Sequence, residues 1–228
     1  MCTVVIRRSE GQSVRILALR DELTTRAFDD PGRWWPELPD VVGGRDRVAG
    51  GTWCATSVAT GTTALVLNRP QKRDGEPGAP SRGTLPLLGV AHGPDWRSHI
   101  DPAGMASFLL VLVTPERSVA WDFDGTTLQE TEHTEGTVMI TSGGLEDRKA
   151  ERYLSRFEAA GYPDGWLRLV QSAPPTDDPG ALVVRHERDD LVFATVFGEL
   201  IEAEPGALRI TYSREPWTGQ PWTSLTSG

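Results

Sequence analysis

The sequence has few cysteines, no long apolar run and a deficit of positive charge. Its two cysteines, Cys2 and Cys54, form no CxxC pair. That count excludes a disulfide framework. The four histidines, His92, His99, His133 and His186, are separated and lack zinc-ligand spacing, so no metal site is expected. No stretch approaches the roughly 18 consecutive apolar residues of a membrane-spanning helix. The longest, Phe108–Val113, has the length of a strand. Arg7 and Arg8 interrupt the early apolar run, so the amino-terminal stretch lacks the core of a signal peptide. Lys and Arg number 23 against 32 Asp and Glu, a net charge of −9, which argues against nucleic acid as a partner. The expectation is a cytoplasmic protein with no membrane span and no nucleic-acid partner; nothing in the composition sets its oligomeric state.

What is present begins at the amino terminus. Residues 1–6 and 14–22 are two apolar runs rich in β-branched residues, separated by the polar turn Ser9-Glu10-Gly11-Gln12. They read as a β-hairpin, whose second strand returns Arg20-Asp21-Glu22 to the neighbourhood of Cys2. Removal of Met1, common before a side chain as small as Cys, would leave Cys2 with a thiol and a free α-amine. The reference pKa of that amine is about 7.7–8.0, so it can serve as a general base near neutrality. A thiol activated by an adjacent amine or Arg can be a nucleophile. The plainer alternative is that Cys2 is packing at a strand start, because Cys is among the most buried residue types.

Further along, Trp34-Trp35-Pro36 lies in an irregular stretch over residues 23–39 and reads as a loop that either walls a pocket or pins itself by aromatic packing. Gly43-Gly44 and Gly50-Gly51 bracket what reads as a tight loop. Residues 52–58 and 63–70 form a second hairpin, and residues 71–82 a polar loop. Residues 84–90 are weakly helical, and Asp101-Pro102-Ala103 marks a helix start. Phe108–Val113, Ser118–Phe123 and residues 126–130 read as three strands joined by turns. Asp122 and Asp124 suit a hydrated turn better than a metal. Apolar residues Ala150, Tyr153, Leu154, Phe157 and Ala160 recur with helical period over 145–160, and Gly161 stops that helix. Residues 181–188, 191–197, 199–202 and 207–212 are closing strands, and the Trp-containing tail from 214 is irregular. With no repeat and no linker, the chain reads as one α+β domain over residues 1–228, its helices covering sheet faces.

The order of motifs resembles that of the Asn-Arg-Asp-Glu family, also called the Transport and Golgi organisation protein 2 family. Met1-Cys2 comes first, then a strand ending in Leu19-Arg20-Asp21-Glu22. Gly50-Gly51-Thr52-Trp53, Leu67-Asn68 before a Pro, and Ser81-Arg82-Gly83 follow. The match is good over residues 1–83 and loose over 107–161, where Phe108-Leu109 and Thr141-Ser142-Gly143 sit at the expected places. It is faint in the carboxy-terminal third. The resemblance implies an N-terminal-nucleophile-hydrolase-like fold, a four-layer αββα sandwich of two antiparallel sheets between helical layers. It also implies Cys2 as nucleophile with Arg20 and Asp21 as the catalytic residues that hold it. Asn68 is implied to line the substrate pocket; apart from the resemblance, Trp34 and Trp53 read as walls of an apolar ligand pocket. Two positions depart from the family pattern: Leu19 stands where the motif has Asn, and Gly143 where a Ser-Asn pair is usual. Both remove polar groups from the expected site.

Two functions follow from this reading. Members of the family are linked to haem movement and to lipid or acyl-CoA handling, which implies binding or trafficking of a small hydrophobic ligand, haem or an acyl lipid. The alternative is a cysteine-dependent hydrolase of non-peptide C–N (amide) bonds with Cys2 as nucleophile. Neither requires a cofactor; haem enters only as a candidate ligand.

Overall fold

The computed structural model describes residues 2–69, 75–144 and 147–227. The chain begins with strands β1 (Thr3–Arg8), β2 (Val14–Leu23), β3 (Phe28–Gly32), β4 (Val41–Asp46), β5 (Cys54–Ser57) and β6 (Thr63–Asn68). Helix α1 (Leu85–His92) precedes β7 (Phe108–Val113), β8 (Ser118–Phe123), β9 (Leu128–His133) and β10 (Gly136–Thr141). Helices α2 (Arg148–Ala159) and α3 (Asp164–Gln171) lead to β11 (Arg185–Arg188), β12 (Leu191–Glu204), β13 (Ala207–Ser213) and β14 (Thr223–Ser227). The strands form two antiparallel sheets, so the α+β class read from the sequence holds. One sheet runs β10-β1-β2-β12-β13-β14, with β11 also on β12; the other runs β3-β4-β5-β6-β7-β8-β9.

The chain divides into two compact units. The first consists of Met1–Arg26, Glu135–Glu202 and Arg209–Leu225, the second of Ala27–Thr134, Ala203–Leu208 and Thr226–Gly228.

In the first unit the amino-terminal hairpin forms as expected. Thr3 pairs with Leu19 and Arg7 with Arg15, and on its other side β1 pairs with β10, Thr3 opposite Thr141. The first strand of the chain is therefore an interior strand. Val5, Leu17, Leu19 and Met139 give this sheet an apolar face, and Ala150, Tyr153 and Phe157 of α2 pack on it with Trp166 and Val170 of α3. Phe157 and Trp166 meet edge to face with centroids 5.5 Å apart. The carbonyls at the end of α2 would be orphans. Arg7 satisfies them, donating to Phe157 O, Ala160 O and Glu158 O while its guanidinium lies 5.0 Å from the centre of the Trp166 ring.

In the second unit, α1 lies against the sheet through Leu85 and Val90, beside Ala64, Leu110, Leu112, Trp96 and Trp121. Gly89 permits the close approach, since a Cβ there would stand 2.9 Å from the Ala64 Cβ. Among the described residues no helix is long and apolar enough to cross a membrane.

Several elements differ from the sequence reading. Gly43 and Gly44 lie inside strand β4 rather than in a loop. The glycines are there for space: a Cβ on Gly43 would meet Cys54 O at 2.4 Å, and one on Gly44 the Trp53 ring at 2.3 Å. Asp101 accepts from the Ala103 amide, yet only a turn follows and not a helix. Residues 28–32 form an edge strand within the stretch read as irregular. β10, α3 and β14 were not expected at all. The two strands expected over 191–202 are one, β12, running through Gly198, where a Cβ would meet Pro216 at 2.8 Å and Leu19 and Trp222 at 3.1 Å. The tail packs Trp217 and Trp222 on the core of the first unit. The expected polar loop over 71–82 lies partly outside the described residues.

The crowding at Gly43 sets an expectation. Gly43→Ala should lower the unfolding free energy by about 1–3 kcal/mol, the usual cost of overpacking, whereas Gly161→Ala, where a Cβ would meet nothing within 4 Å, should cost less. Urea denaturation of both variants followed by tryptophan fluorescence measures the difference.

Candidate functional site around Cys2

The site is built where β1 begins, β2 ends and β10 ends. The β1–β2 register sets Cys2 beside Arg20 and Asp21. Cys2 is half-buried, and its thiol lies 3.8 Å from Asp21 O, the carbonyl that accepts from it. Ser142, just past β10, clamps the Cys2 backbone from both sides. Its amide donates to Cys2 O at 3.1 Å, and its Oγ accepts from Cys2 N at 2.9 Å. The nitrogen that would become the α-amine thus already has a fixed partner.

Behind this residue lies a buried polar group. The Asp21 side chain is wholly buried; Oδ1 accepts from Thr195 Oγ1 at 2.6 Å, and Oδ2 lies 3.8 Å from Lys149 Nζ. Lys149 also donates to Thr3 Oγ1 at 3.1 Å. Arg20 precedes Asp21 in the strand and so projects from the opposite face of β2. It too is buried, with its guanidinium 3.6 Å from Glu22, which lies 3.8 Å from Arg26. Burial pushes the Cys2 thiol above its ordinary pKa and the Asp21 carboxylate adds to the rise, while the Asp21 carbonyl and Arg20 pull it down. A resting thiol in this setting needs a base.

Both departures from the family pattern have a physical basis. Leu19 is 2% exposed among Val5, Leu17 and Met139, where an amide would be stranded in hydrocarbon. Gly143 lies against the cap of α2: Asp147 accepts from Lys149 N and from Thr141 Oγ1, and a Cβ on Gly143 would stand 2.6 Å from Asp147 Oδ2. The cap occupies the room that a side chain at 143 would need.

The structure brings Cys2, Arg20 and Asp21 together in the first unit and places Asn68, Trp53 and Trp34 in the second. Asn68 ends β6 opposite Phe108 and is exposed. Trp53 packs edge-on against Phe28 at 5.4 Å and fills the space above Gly44. Trp34 donates to Asp30 O at 3.0 Å and lies beneath the Arg45 guanidinium, 4.7 Å away. Asp122 pairs with Arg69 at 3.1 Å. Among the described residues no group of three or more His, Cys, Asp or Glu converges as a metal site would.

Sequence reasoning gave no role to Ser142, Thr195 or Lys149. Lys149 had a signal: it lies four residues before Tyr153 and eight before Phe157, on the apolar stripe of α2. Thr195 had none, because only the pairing of β12 beside β2 brings it to Asp21.

A profile described as Transport and Golgi organisation 2 matches residues 1–159. The chain belongs to that family. No curated protein sequence matches this member detectably. Among solved structures, this Transport and Golgi organisation 2 protein is similar to a Caenorhabditis elegans N-acylethanolamine-hydrolyzing acid amidase ortholog. The identity is 10% and the TM-score 0.48, with 90% of this chain and 93% of that one covered.

The Thr195 hydroxyl donates to the buried carboxylate and accepts from the Val184 amide at 3.0 Å, so one substitution tests both bonds. Thr195→Val should cost about 1–3 kcal/mol of stability, the usual penalty for leaving buried polar groups short of partners. Thr195→Ser should retain most of it; chemical denaturation of the two variants gives the comparison.

Proposed function

We propose that this family member is an N-terminal cysteine hydrolase of non-peptide amide bonds, acting through Cys2 once Met1 is removed. The observation that supports it is the placement of both Cys2 functional atoms. The nitrogen is held 2.9 Å from Ser142 Oγ, and the thiol lies against Asp21 with Arg20 as neighbour. One residue then carries nucleophile and base in fixed relation.

The chemistry runs in two halves. The neutral α-amine takes the thiol proton, and sulfur bonds to the amide carbonyl carbon. The ammonium returns its proton to the leaving nitrogen as the C–N bond breaks, leaving an acyl thioester on Cys2. The amine then takes a proton from water, the hydroxide adds to the thioester carbonyl, and the C–S bond breaks to give the acid and the free thiol. Asp21 and Arg20 orient Cys2; an oxyanion forms in each half and requires backbone N–H donors. No cofactor enters.

Family membership also supports the reading of the chain as a carrier of haem or an acyl lipid, in which Cys2 would be an iron ligand. The two readings part on one variant. Cys2→Ala should abolish turnover of small N-acyl amides with circular dichroism and melting unchanged. Wild-type turnover in that variant contradicts the hydrolase reading. A Soret shift on haem addition, lost in the same variant and without any amide turnover in the wild type, favours the carrier.

A further inference from the structure

Lys149 is a buried ionisable group that this mechanism leaves without a task. Its side chain is 0% exposed, as is that of Asp21. Lysine is almost never fully buried unless paired, and a buried ion pair is often no more stabilising than apolar residues of the same volume. The surrounding stripe of α2, Ala150, Tyr153 and Phe157, is such an apolar surface. Packing alone therefore gives no reason for an amine at this position.

Its contacts do. Nζ donates to Thr3 Oγ1, on the residue after Cys2, and faces Asp21 Oδ2, on the residue after Arg20. One side chain from α2 thereby ties the start of β1 to the end of β2 at the point where Cys2 sits. Thr195 from β12 covers the other carboxylate oxygen. The Asp21 carboxylate thus has a hydroxyl on one oxygen and a cation facing the other, both supplied by elements distant in sequence.

We propose that Lys149 is a positioning residue for the Cys2 centre: it cancels the Asp21 charge behind the thiol and locks the two strand ends that hold Cys2. The inference rests on the reading of Cys2 as nucleophile. An uncancelled carboxylate beside a half-buried thiol opposes thiolate formation, and Asp21 already pushes the thiol that way. The charged groups around the centre are Arg20, Asp21 and Glu22 on β2, Lys149 on α2, and the Cys2 amine. Asp147 caps α2 and bonds Thr141, and Glu199 is buried on β12.

The test is the pH dependence of Cys2 alkylation by iodoacetamide, read on the amino-terminal peptide by mass spectrometry so that Cys54 is counted separately. Lys149→Met should raise the midpoint by about one pH unit, the size of effect a nearby charge exerts on a titrating group. Lys149→Arg should stay near wild type. Adding Asp21→Asn to Lys149→Met should bring the midpoint back, because the charge needing cancellation is gone. An unchanged midpoint in a Lys149→Met protein with wild-type circular dichroism and melting overturns the proposal. If Lys149→Met does not fold, Asp21→Asn alone is compared with the double variant: a midpoint about one pH unit lower in Asp21→Asn, where the Lys149 cation remains, supports the proposal, and equal midpoints overturn it. Alkylation needs no amide substrate. Absent turnover with the shift intact removes the hydrolase reading alone; turnover with no shift removes the role of Lys149 alone.

Discussion

The buried Asp21 carboxylate is the interaction on which the amino-terminal site depends. A carboxylate wholly removed from water is tolerable only with partners. Its partners include Thr195 on β12 and Lys149 on α2, and Lys149 in turn binds the Thr3 hydroxyl on β1. Satisfying one charge therefore fixes β1, β2, β12 and α2 relative to one another. Cys2 sits at the edge of this group, and Ser142 holds its backbone in two directions. An amino-terminal residue would ordinarily fray; this one leads into an interior strand paired on both sides.

Much of this was legible because it is local. The hairpin over β1 and β2 follows from two β-branched runs and a Gly-containing turn, and it alone brings Arg20 and Asp21 to Cys2. The amphipathic period of α2 was equally plain. Elements set by distant contacts were not. β14 is a polar strand, Thr223–Ser227, whose neighbour β13 supplies the pairing. β4 contains Gly-Gly, which suggests a turn until Trp53 and Cys54 are seen to occupy the Cβ positions. α3 has only eight residues, with Gly165 among them, too short for a periodic pattern to stand out. Thr195 and Lys149 lie 174 and 128 residues from Asp21 in sequence, and no spacing rule links them.

The departures at Leu19 and Gly143 take on a different meaning in three dimensions. Leu19 sits in the apolar core, where a polar group would lack partners, and Gly143 lies under the Asp147 cap, which occupies the room a side chain would need. Both reflect local packing beside Cys2, Arg20 and Asp21. Residue 143 has no side chain to offer beside the centre, and the polar contacts at the Cys2 backbone come from Ser142.

The central claim is that Cys2, freed of Met1, carries the acyl group during turnover. Peptide mass spectrometry of the wild-type protein quenched with acid in the first turnovers of a small N-acyl amide tests it most directly. The account predicts an amino-terminal peptide that begins at Cys2 and bears the acyl mass. A peptide that retains Met1, or an acyl group found only on another residue, would contradict it.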